Sequence, residues 1–150
     1  MSSPAELSAS ELPMDSTLTG PVLIIGSGLL GASIGLGLRA AGCEDVYVQD
    51  ISPTAEAVAQ DIGAGTSFST LSEEERTAFA PQLVVVAAPP DSAGAVCARA
   101  LNTYAPRPEA GYPGAVVTDV ASVKVQPLAD VLASGADASR YVGSHPMAGR

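Results

Sequence analysis

His145 is the single histidine of this chain, and it stands in Ser144-His145-Pro146-Met147-Ala148-Gly149. Lys124 is the single lysine, and it closes Asp119-Val120-Ala121-Ser122-Val123-Lys124. An imidazole can both accept and donate a proton, so His145 has the chemistry of a general base. Two roles are open to Lys124: gripping a carboxylate, or pairing with a neighbouring acid to shape the turn. A third stretch, Gly26-Ser27-Gly28-Leu29-Leu30-Gly31, directly follows the apolar run Val22-Leu23-Ile24-Ile25.

The glycine stretch has the spacing of a dinucleotide-binding turn, and three features of its context agree. A strand signal precedes it, a helix signal follows it, and an acid ends the next strand. Gly26 permits the tight turn, Gly28 lets a pyrophosphate approach the backbone, and Gly31 lets helix pack on strand. Gly35, one turn on, extends that close-packing face. Ser27, Leu29 and Leu30 complete the turn and helix start, where free N–H groups and the positive dipole end meet phosphate.

Asp50 is expected to accept hydrogen bonds from the adenosine ribose, and it is also placed to cap the following helix. A carboxylate there repels a 2′-phosphate, and Ile51, Ser52, Pro53 and Thr54 bring no cation. NAD is therefore expected over NADP. Ala88 and Pro89 end another strand and are expected to line the same cleft, although Pro89-Pro90 also reads as helix-start punctuation.

The elements that must position these residues alternate strand and helix. Strands are expected at Pro21 to Ile25, Val46 to Gln49, Thr66 to Phe68, Leu83 to Ala87, Ala115 to Thr118 and Tyr141-Val142. Helices are expected at Leu29 to Ala41, closed by Gly42, and from Ser52-Pro53 to about Ile62. A short one follows the capping box Ser72-Glu73-Glu74-Glu75. Another is capped by Asp91 or Ser92 and runs to about Leu101, and a last one follows Lys124 with Pro127 in its first turn. Thr103 to Gly114, rich in proline and glycine, reads as an exposed loop. The alternation predicts an α/β, Rossmann-type, doubly wound and mainly parallel sheet with helices on both faces. Ligands of such sheets lie beyond the strands' carboxyl ends, where all three motifs fall.

The bulk composition supports this reading. At 150 residues, 47% hydrophobic and 15% charged, the chain can bury one core and suits a sheet covered on both faces. A net charge of −9 argues against a nucleic-acid partner. Apolar stretches are broken before membrane-spanning length, and Met1 to Gly20 lacks the features of a signal peptide, so it reads as a flexible tail. Cys43 and Cys97 form no CxxC pair and read as buried thiols of a cytoplasmic protein. No metal site is expected.

In this order, the glycine turn, the Asp119–Lys124 stretch and the Ser144–Gly149 stretch resemble the prephenate/arogenate dehydrogenase family of tyrosine biosynthesis. The resemblance covers roughly Pro21 to Arg150, and the last two motifs are its more specific part. Ala121 stands where the family commonly has glycine.

The resemblance implies NAD-dependent oxidative decarboxylation. Hydride leaves the carbinol carbon of prephenate or arogenate, His145 accepts the hydroxyl proton, and loss of CO₂ restores aromaticity. Ser122 would assist at the same hydroxyl and near the nicotinamide, and Lys124 would join the substrate site. The family also implies a further helical domain that supplies substrate-binding arginines and a homodimer interface. Residues 21–150 would then be the NAD-binding portion, binding NAD weakly and turning over prephenate poorly on its own. Two other readings share the glycine turn and Asp50: a β-hydroxyacid dehydrogenase-like enzyme, and a non-catalytic nucleotide-sensing module. Only the Ser122 and His145 segments separate them from the first.

Overall fold

The structure, a computed structural model, describes residues 18–147. Most of the expected N-terminal tail, and Ala148-Gly149 of the histidine motif, lie outside the described residues. The end of that tail is not free, because the N–H groups of Thr19 and Gly20 both donate to Gln82 Oε1.

Six strands form one sheet: β1 (Val22–Ile25), β2 (Val46–Gln49), β3 (Thr66–Ser67), β4 (Leu83–Val86), β5 (Val116–Asp119) and β6 (Tyr141–Gly143). Every pairing is parallel and the order is β3-β2-β1-β4-β5-β6. This is the doubly wound order, with its reversal between β1 and β4. Near-continuous apolar strands such as Leu83-Val84-Val85-Val86 suit a sheet buried on both sides.

Among the described residues five α-helices cover it: α1 (Leu29–Ala40), α2 (Pro53–Asp61), α3 (Glu73–Ala78), α4 (Pro90–Thr103) and α5 (Val125–Ala133). Alternate strand residues divide between two cores. Val22, Ile24, Val46, Val48 and Val85 pack with α1 and α2. Leu23, Val84, Val86 and Val117 pack with α4 and α5. Close approach of α4 to α5 depends on Gly94, where a Cβ would lie 2.4 Å from Asp130 Oδ2.

Several local expectations need correction. Neither Asp91 nor Ser92 caps α4. Pro89 occupies the N-cap and Pro90 the first helical position, where a missing N–H costs nothing. The helix also runs two residues past Leu101, to Thr103. Phe68 leaves β3 to open a short 3₁₀ turn, Phe68–Thr70. The stretch from Thr103 to Gly114 is largely exposed, as expected, but it is anchored at several points. Tyr104 is buried, the Arg107 guanidinium donates to the carbonyls of Thr77 and Phe79, and Tyr112 Oη donates to that of Pro81. Arg140, just before β6, similarly reaches the carbonyls of Leu101, Tyr104 and Ala115. It thereby satisfies carbonyls left over at the end of α4.

Glu56, an acid in the first turn of α2 that no sequence signal marks, is 1% exposed. Its carboxylate accepts from Asp50 N (3.0 Å), Ser67 Oγ (2.5 Å) and Ser69 N (2.8 Å). Burial pushes its pKa up, but these donors more than reverse that, leaving it below the usual glutamate value. The stabilisation is complete above the unfolded-state pKa of about 4.5 and is lost as pH falls through the lower folded value. Glu56→Gln puts an amide donor against one of these donors and is expected to cost about 1–3 kcal/mol at neutral pH. Urea denaturation of both proteins at neutral pH and below the glutamate range checks this, since their stabilities should converge at the acid end.

Candidate functional site

The turn from β1 into α1 is built by contacts that exclude side chains. Gly26 has φ +100°, and a Cβ there would lie 2.5 Å from the Ala87 carbonyl oxygen. A Cβ on Gly31 would lie 1.8 Å from Gly26 O. Gly28 differs: its φ is −67° and nothing stands within 4 Å of a Cβ built on it. The fold thus requires Gly26 and Gly31 for packing, but leaves open space at Gly28. That space lies at the N-terminus of α1, whose first turn has no acidic residue and no side-chain cap. Uncapped amides and the dipole's positive end face it.

Asp50, at the end of β2, is tied to this turn. Its Oδ2 accepts from Ser27 N (2.7 Å) and Ser27 Oγ (2.9 Å), and Oδ1 accepts from Ser52 N (2.8 Å). Burial raises the Asp50 pKa, and these bonds lower it further than burial raises it, so the group stays anionic at neutral pH. A carboxylate has about four acceptor positions, so Oδ1 keeps capacity for a ligand hydroxyl. The expected capping of α2 by Asp50 takes an indirect form. Ser52 is the N-cap, accepting from Ala55 N, and Asp50 holds Ser52. Both donors of the buried Ser27 go to Asp50, so its hydroxyl holds the acid in place.

A cavity of about 960 Å³ opens at this edge. It gathers Gly26, Gly28, Asp50, Ala88 and Pro89 from among the expected cofactor residues. Sequence reasoning missed the rest of its wall, notably Phe68, Arg76, Val96 and Arg99. The arginines stand on α3 and α4, far along the chain from Asp50, and carry no local signal. Ser122, Lys124 and His145 are not in its lining. They occupy the same sheet edge further along, after β5 and β6.

Asp119 organises that second half. It is fully buried at the end of β5. Oδ2 accepts from Ala121 N (3.0 Å) and from Lys124 Nζ (2.6 Å), while Oδ1 accepts from Tyr141 Oη. One carboxylate therefore fixes the turn carrying Ser122, the start of α5, and the first residue of β6. Ser144 continues that strand through Ser144 N to Asp119 O (3.0 Å), and Thr118 Oγ1 donates to Ser144 Oγ (3.0 Å). His145 follows immediately. Its side chain and that of Ser122 are exposed, and neither hydrogen-bonds to a described residue. Of the two roles open to Lys124, the ion pair with Asp119 is the one formed here.

Burial, with Asp119 beside it, pushes the Tyr141 hydroxyl pKa well above its usual value. Burial and the same carboxylate push the Cys97 thiol to about 12, so it is inert. Both cysteines are free, Cys97 buried and Cys43 half-buried. Among the described residues no group of His, Cys, Asp or Glu side chains could hold a metal, and no helix is long and apolar enough to cross a membrane.

Tyr141→Phe removes one donor to a buried charge and is expected to cost about 1–2 kcal/mol of stability. Asp119→Asn is expected to cost more, because it also takes the partner charge from Lys124. Chemical denaturation of the two variants beside the parent tests the order.

Comparison with known proteins agrees with this geometry. The family described as "Prephenate dehydrogenase, nucleotide-binding domain" matches residues 34–150. A probable prephenate dehydrogenase, NovF of Streptomyces niveus, is 38% identical over 128 residues, covering 85% of this chain and 31% of that protein. The prephenate dehydrogenase of A. aeolicus, solved with hydroxyphenyl propionate and NAD+, superposes with a TM-score of 0.68 at 28% identity. That match covers 90% of this chain and 44% of that one. A putative prephenate dehydrogenase from Corynebacterium glutamicum gives a TM-score of 0.64 at 32% identity, covering 89% and 39%. The chain spans less than half the length of these relatives. Its parallel doubly wound sheet, its glycine turn and the extent of these matches make it a member of the prephenate dehydrogenase family, corresponding to the nucleotide-binding domain.

Proposed function

We propose that this chain is the NAD-binding part of an enzyme that oxidatively decarboxylates prephenate or arogenate. The observation that carries the cofactor reading is the open space at Gly28, at an uncapped helix start beside an anionic Asp50. The residues present fit the group. Helix amides suit a pyrophosphate, and Asp50 Oδ1 suits a ribose hydroxyl while repelling a 2′-phosphate. The A. aeolicus relative, solved with NAD+, supports the same choice. When bound, the nicotinamide supplies the hydride acceptor.

The chain's own residues supply the proton chemistry. His145, exposed at the end of β6, accepts the proton of the substrate's carbinol hydroxyl. Ser122, on the turn after β5, donates to or accepts from the same oxygen and orients the imidazole. Lys124 shapes that turn through Asp119 and does not lead in substrate binding. Decarboxylation needs no further base, because aromatisation drives it. The substrate's carboxylates would be gripped by residues outside this domain, in a longer, cytoplasmic and homodimeric protein. The two free thiols suit that reducing compartment.

Gly28→Ala is expected to leave thermal stability unchanged, since its Cβ meets nothing, while weakening NAD binding at least tenfold. Isothermal titration and a thermal melt on the same preparation test both halves. Unchanged affinity would sink the cofactor reading. In a protein of the relatives' full length carrying this domain, His145→Asn is expected to abolish NADH formation from prephenate while sparing NAD affinity. A steady-state assay that finds the rate intact removes His145 as the base.

A further inference from the structure

The cavity does not end at Asp50. It continues along α4, where Ser92, Val96, Arg99 and Thr103 recur every three to four residues on one stripe, spanning about 16 Å at 1.5 Å per residue. Phe68 and Arg76 also line it. Two of the chain's seven basic residues therefore line one cavity of a strongly acidic chain, with Asp50 the one acid in its lining. Arg76 is held in place: its Nη2 donates to Ser69 O at 2.7 Å and its guanidinium carbon lies 5.9 Å from the Phe68 ring centre. Arg99 is exposed and makes no ion pair or hydrogen bond to a described residue.

We propose that Arg76 and Arg99 hold the adenine base of the dinucleotide, with Val96 and Phe68 as its apolar bed. The inference rests on the cofactor reading above and adds the residues that recognise the base. The order of groups along the ligand dictates the placement. With pyrophosphate at the glycine turn and ribose at Asp50, the base is the next group outward, toward α4. A planar purine offers two π faces, and a guanidinium stacks on such faces at little conformational cost. A 2′-phosphate fits less well, because it would share its ribose with the ionised Asp50.

The test is isothermal titration of the chain with NAD, NADP, ADP-ribose and nicotinamide mononucleotide. Both side chains are exposed, so R76A and R99A should fold normally, which circular dichroism verifies. Each is expected to weaken NAD and ADP-ribose about three- to tenfold, with R76K and R99K in between. Nicotinamide mononucleotide, which has no adenine, should bind all variants alike. Unaltered NAD affinity, an equal loss for nicotinamide mononucleotide, or a loss confined to NADP overturns the inference and leaves the cofactor reading standing. A parent chain that binds no adenine nucleotide overturns both.

Discussion

Parallel hydrogen bonding through all six strands is the constraint from which the site follows. Strands that run the same way deliver all their carboxyl ends to one edge. The residues of the sequence motifs sit within a few positions of such ends: Gly26 and Gly28 after β1, Asp50 after β2, Ala88 after β4, Ser122 after β5, His145 after β6. An antiparallel sheet would scatter the same residues over two edges. The reversal between β1 and β4 then opens the crevice, because α1 and α4 leave that point toward opposite faces of the sheet.

Two buried carboxylates keep that edge in register, one for each half. Glu56 accepts from the Asp50 amide, the Ser67 hydroxyl and the Ser69 amide, so it joins the end of β2 to β3 and the turn after it. Asp119 does the corresponding work between β5, α5 and β6. Neither lines the cavity. Each fixes backbone in place: the end of β2 that carries Asp50 in one half, and the segments that carry Ser122 and lead to His145 in the other. Desolvating a carboxylate is costly, and here each is offset by three donors.

The glycines divide by the same logic of space. Gly26 and Gly31 are demanded by backbone that lies too close for any side chain, and a mutation at either would disturb the fold first. Gly28 is demanded by nothing in the protein. A motif that looks uniform in sequence thus contains two packing glycines and one that leaves room for something else, and only the last is informative about ligand binding. The corrected start of α4 has a similar explanation. Pro89 and Pro90 begin the helix themselves, which brings Ser92 and Val96 round to the cavity.

Local pattern was enough to determine the strands, most helix starts, the parallel class and the glycine turn with its acid. These depend on side-chain periodicity, cap chemistry and short spacings, all of which a chain carries within a few residues. The capping box at Ser72 and the proline start at Ser52-Pro53 were legible for that reason. The anchoring of the Thr103–Gly114 connection, the burial of Glu56, the tie from Tyr141 to Asp119 and the arrival of Arg76 and Arg99 in the cavity that Asp50 also lines were not. Each joins residues on separate elements, and their proximity exists only once the sheet has chosen its strand order and the helices have packed on its faces.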